Sequence, residues 1–108
     1  MRQGFLPYGR QCIEEDDIAA VTEVLRSDFL TTGPAVEAFE SALAECVGAS
    51  YAVACSSGTA ALHMAMAALD VNSEDTVAVP SVTFLATANA VRYVDAEVEF
   101  VDVDPQSG

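Results

Sequence analysis

The residues with the most evident chemical use are four in a row, Ser56-Ser57-Gly58-Thr59. They stand between a short apolar segment, Tyr51–Cys55, and an apolar run, Ala60–Leu69. They therefore read as the corner where a buried strand turns into a helix. The first turn of a helix presents backbone N–H groups with no intrahelical acceptor, together with the positive end of the helix dipole, and a phosphate fits there. Glycine lets the backbone approach the anion closely, and hydroxyls on either side add hydrogen bonds. Serine and threonine are also ordinary helix caps, so from these four residues alone capping and phosphate binding both stand, capping being the commoner role. A second corner, Ser81-Val82-Thr83-Phe84, follows another apolar segment. Ligands of α/β sheets bind at corners of this kind, and an aromatic ring there can stack on a flat ligand. By residue type alone, Phe84 reads as core.

The remaining chemistry-bearing residues exclude more than they suggest. Acids outnumber bases 17 to 4, for a formal net charge of −13, and all four bases are arginines (Arg2, Arg10, Arg26, Arg92). A polyanion repels phosphate backbones and acidic lipid, so nucleic-acid partners and membrane surfaces are not expected. With no lysine in the 108 residues, neither a P-loop nor a lysine Schiff base can come from them. Cys12, Cys46 and Cys55 form no CxxC pair, which fits a reduced, cytoplasmic setting. His63 is the sole histidine; on an apolar helix it reads as a packed, hydrogen-bonded side chain. Asp102 and Asp104 stand at a strand end and in a turn, where acids are commonplace, so no metal is expected. No apolar run approaches the roughly 20 residues that a membrane helix needs.

The elements that must position the two corners follow from periodicity. Residues 1–13 read as extended. A helix is expected over Glu15–Ser27, with Ile18, Val21 and Leu25 on one face and acids in its first turn, where they complement the helix dipole. A second helix starts at Pro34, carries the stripe Val36, Phe39, Leu43 and Cys46, and ends at Gly48. Then come a strand Tyr51–Cys55, a helix Ala60–Leu69, a strand Thr76–Val79 ended by Pro80, a helix Phe84–Val94 and a strand Glu97–Asp102. Residues 46–69 and 76–91 carry no charged side chain, as expected of elements buried on both faces. The order α-α-β-α-β-α-β argues for an α/β sheet of mainly parallel strands.

Several ordered segments together resemble the opening of the DegT/StrS family of sugar aminotransferases. They are Pro7–Gln11, Val24–Pro34, Phe39-Glu40, Ser56–His63, Pro80–Ala90 and Phe100–Pro105. The resemblance implies a partial aspartate-aminotransferase-like large domain (PLP fold type I) with pyridoxal 5′-phosphate (PLP) as cofactor. It implies that Ser57, Gly58 and Thr59 bind the PLP phosphate and that Phe84 stacks on the pyridine ring. Tyr8, Thr32 and Gly33 match the part of the pattern that borders the nucleotide-sugar site. Residues 1–33 would be an N-terminal arm and first helix, and 34–108 the first part of the PLP-binding domain. The opening segments and the Thr31–Pro34 turn are most similar to the branch that aminates UDP-4-keto-6-deoxy-N-acetylhexosamines toward pseudaminic acid. An amino-acid donor, expected to be L-glutamate, and a homodimeric full-length form are implied with it.

The departures from the family pattern matter as much. Family members are several times longer, and their lysine and the aspartate that pairs with the pyridine nitrogen belong to a later part of the pattern. No catalytic residue is therefore expected within these 108 residues, and the chain reads as an N-terminal piece. By itself that piece is expected to be inactive and marginally folded, because its first strand would lack neighbours. The alternative is a non-catalytic phosphate-binding or interaction remnant of such an enzyme.

Overall fold

The structure is a computed structural model, and it describes residues 9–106. The chain divides into two compact units, Met1–Ala54 and Cys55–Gly108.

The first unit holds helices α1 (Glu15–Arg26) and α2 (Pro34–Val47). At the start of α1 the Glu14 N–H donates to the Asp17 carboxylate at 2.9 Å, and Glu15, Asp16 and Asp17 fill the first turn, where negative charge is favoured. Gly33 precedes α2 at φ +129°, and a Cβ at this position would lie 2.7 Å from the Phe29 Cβ. A side chain is excluded there on both counts. Pro34 opens the helix, and Gly48 closes it in the left-handed conformation, φ 68°, as the sequence implies. The expected apolar stripes exist as helix faces, yet they are largely open: α1 buries no residue and α2 buries Ala44 alone.

The segment Tyr51–Cys55 is not a strand, which corrects the expected order to α-α-α-β-α-β. A strand is defined by its ladder, and the one sheet among the described residues has two strands, both formed by later residues. Its polar backbone finds a side chain instead, for the Ala54 N–H donates to the Glu40 carboxylate at 2.7 Å. A charge-assisted bond of this kind takes the place of a ladder bond.

The second unit runs α3 (Gly58–Ala68), β1 (Thr76–Pro80), α4 (Leu85–Arg92) and β2 (Glu97–Val101). β1 and β2 pair in parallel, Thr76 with Glu97 through Pro80 with Val101. Pro80 falls at the strand's end, where its missing N–H costs least. The core lies where α4 covers this pair: Val79, Val91 and Ala96 are buried, with Met66, Val77, Ala88 and Val98 packed around them. Each buried valine contributes on the order of 1.5–3 kcal/mol. Arg92 ties the end of α4 to β2 through the Ala96 carbonyl and the Glu97 carboxylate, both at 2.9 Å. α3, apolar nearly all round, has no buried residue, because α4 and the core cluster that Met66 touches cover a single side of it. His63 is accordingly exposed rather than packed in a core. Its ring rests on that of Tyr93, centroids 5.2 Å apart.

Ile18, Val21, Leu25, Phe39 and Leu69 are between 51% and 72% exposed. A 108-residue polypeptide with such faces is expected to bind the dye ANS and to unfold over a broad urea range, with far-UV and near-UV signals that do not coincide. A sharp transition shared by both signals, without dye binding, is the contrary result.

Candidate functional site

The two corners picked out in the sequence come together in the second unit. The first turns of α3 and α4 line one open groove of about 570 Å³, with Gly58, Thr59, Ala61 and Leu62 on one wall and Phe84, Ala86 and Thr87 on the other. That volume lies within the range of small-molecule sites. Neither helix has an acid in its first turn, so in a chain of net charge −13 this groove faces two positive helix ends and no lining carboxylate.

The local hydrogen bonds prepare the α3 wall. Ser57 is the N-cap, and its Oγ accepts from the Ala60 N–H at 3.1 Å. The Ser57 carbonyl accepts from the Ala61 N–H at 3.0 Å. The N–H groups of Gly58 and Thr59, at the first two helical positions, have no intrahelical acceptor and are left for a ligand. The Ser57 hydroxyl also keeps its own proton to donate. Capping and anion binding are thus compatible at this serine.

Gly58 carries the fit test for a phosphate. Its φ is not in the positive region, and a Cβ built on it would meet nothing within 4 Å. Neither backbone conformation nor packing within the chain therefore accounts for a glycine here. What remains is the open space above it, next to the two free N–H groups, which has the form of a cradle for a close-bound anion. On the facing wall Phe84 is 78% exposed. Residue type alone suggests a core position for Phe84, but the residue precedes α4 as its N-cap and lines the groove.

Of the other expected site residues, Thr32 and Gly33 lie in the first unit and do not line this groove. Gly33 has a local steric role at the start of α2. Tyr8 lies outside the described residues. Thr87, with Ala61, Leu62 and Ala86, is a groove residue that the sequence reading did not name. Helical spacing from Phe84 and Gly58 was the signal for it, since residues three and four apart share a face. The three cysteines are free and exposed, no group of three or more His, Cys, Asp or Glu residues could hold a metal among the described residues, and no described helix is long and apolar enough to cross a membrane.

The partial α/β fold is that of fold type I PLP aminotransferases. The chain matches Spr1654 from Streptococcus pneumoniae, described as a sugar aminotransferase and solved in a PLP form, at 31% identity and TM-score 0.85, covering 94% of this chain and 26% of that one. An aminotransferase from Psychrobacter cryohalolentis matches at 35% identity and TM-score 0.80, over 94% and 26% of the two chains. A DegT/DnrJ/EryC1/StrS aminotransferase from Brucella abortus matches at 42% identity and TM-score 0.75, over 83% and 24%. Residues 11–108 match the DegT/DnrJ/EryC1/StrS aminotransferase family, and the chain belongs to it. PLP is the cofactor of that family. The chain spans about a quarter of the length of the structures it matches.

Ser57→Ala is expected to remove the α3 cap, at a cost of about 1 kcal/mol. Amide exchange at Ala60 then speeds up about fivefold, whereas Gly58→Ala leaves that rate unchanged or slower. Equal rates in wild type and Ser57→Ala contradict the cap.

Proposed function

We propose that this chain supplies the phosphate-binding and ring-stacking part of a PLP-dependent aminotransferase acting on a nucleotide sugar. The observation that carries the reading is the meeting of two acid-free helix N-termini at one groove, with Gly58 open to it and Phe84 across from it. When bound, PLP supplies an electron sink through which an amino group is moved from a donor to a carbonyl. In this reading the free N–H groups of Gly58 and Thr59, with the hydroxyls of Ser57 and Thr59, hold the cofactor phosphate. Phe84 lies against the face of the ring, keeps water from it and limits its tilt. Holding the phosphate and covering one face of the ring would help keep the reacting bond in the orientation the π-system requires.

The amino donor is L-glutamate and the acceptor a UDP-4-keto-6-deoxy-N-acetylhexosamine, in the branch leading toward pseudaminic acid for cell-surface glycan. This assignment is supported by the opening segments and the Thr31–Pro34 turn. Tyr8, Thr32 and Gly33 border the nucleotide-sugar site. Residues 1–33 form an arm and first helix, and 34–108 the first part of the cofactor-binding domain, of an enzyme that works as a homodimer in the cytoplasm. The 108 residues hold no lysine, so by themselves they do not transaminate.

Two measurements test this. Equilibrium dialysis of the protein, purified as its gene encodes it, against pyridoxamine 5′-phosphate is expected to show binding. Gly58→Val, which fills the cradle, weakens that binding by about tenfold or more with an unchanged far-UV spectrum. Equal affinity in the variant sinks the assignment of the cradle. The 108-residue polypeptide with L-glutamate and the keto-sugar nucleotide is expected to form no 2-oxoglutarate; turnover there contradicts the reading.

A further inference from the structure

We propose that Thr83 and Thr87 are a positioning pair that fixes the Phe84 ring across the groove, an inference that rests on the cofactor reading above. Among the residues lining the groove, Thr59 and Thr87 alone have polar side chains. Thr59 belongs to the phosphate end, which leaves Thr87 without a role. Thr87 is half-buried, and its hydroxyl lies 2.9 Å from that of Thr83. Phe84 stands between the two. It is the N-cap of α4, with extended backbone (φ −70°, ψ 143°) and no side-chain cap of its own. Its carbonyl accepts from the Thr87 N–H at 3.0 Å. Phe84 is therefore held on both sides by Thr87, directly through its carbonyl and through its preceding neighbour's hydroxyl.

The physical need for such a clamp follows from the exposure of the ring. A phenyl group that is 78% exposed has little packing to choose its orientation, and its direction follows the backbone that carries it. Two β-branched side chains with restricted χ1, joined by a hydrogen bond across one helical turn, set that backbone before a ligand arrives. Order in place beforehand is not charged against binding. The hydroxyl pair uses one O–H for its mutual bond and keeps a second that is free to donate.

The test uses the protein purified as its gene encodes it, with pyridoxamine 5′-phosphate and inorganic phosphate as separate probes. Thr83→Val and Thr87→Val are each expected to weaken pyridoxamine 5′-phosphate about threefold to tenfold and to diminish the circular-dichroism band that the bound ring acquires. The affinity for inorganic phosphate stays the same, because the α3 cradle is untouched. The double valine variant behaves like either single one, since the two hydroxyls act as a unit. Thr83→Ser and Thr87→Ser keep the hydrogen bond and are expected to retain both affinity and band. Valine variants with unchanged affinity and band overturn the pair, while a loss in Gly58→Val still upholds the cradle. Equal losses for both probes mean a general loosening of the corner and likewise overturn it. If the valine variants do not fold, the serine variants decide: loss of the band in either is against the pair, and retention supports it. No binding of pyridoxamine 5′-phosphate by the wild type removes the cofactor reading and the pair together.

Discussion

The parallel pairing of β1 with β2, closed over by α4, is the constraint on which the site depends. Val79, Val91 and Ala96 interlock at its centre, and Ala86 and Ala90 are buried on the same helix. Small side chains on α4 let it lie close to the strands, so its first turn is placed by the core rather than by the loop that precedes it. A groove between two helix N-termini can be held in shape only if both helices are anchored away from it. α4 is anchored by this core, and α3 by Met66, which packs against the same cluster.

Charge is distributed in a way that suits an anion. The net charge of −13 would oppose phosphate binding if it were spread evenly, but unlike charges and like charges matter mainly within a Debye length of about 8–10 Å. The acids gather before residue 46 and from Asp70 onward, leaving the segments that form the groove without a carboxylate. Two helix dipoles and a set of unbonded N–H groups then dominate locally. What an anion would meet in the groove is set by where the acids are placed, whatever their total.

Much of the local structure was legible in the residues. Pro34 and Gly48 bound α2 as expected, β1 and β2 start at Thr76 and Glu97, and the Ser57 corner opens a helix. Each of these depends on neighbours in sequence. The misreadings share a different cause. Tyr51–Cys55 has the apolar content of a strand but no partner strand among the described residues, and α3 has the composition of a buried helix but is covered on one side. Apolar content states that burial is favourable, and it cannot state that a covering surface exists among these residues.

By itself the sequence determined the helix ends, the two strand-to-helix corners, the exclusion of lysine chemistry from these residues, and, through the order of its segments, the family. Caps, turns and charge gaps are set by interactions a few residues long, so they can be read along the chain. Only the tertiary structure decided that the two corners, about 25 positions apart in sequence, share one groove and that Gly58 faces open space. Those facts come from α4 folding back over β1 and β2, a packing of distant side chains that periodicity alone does not specify.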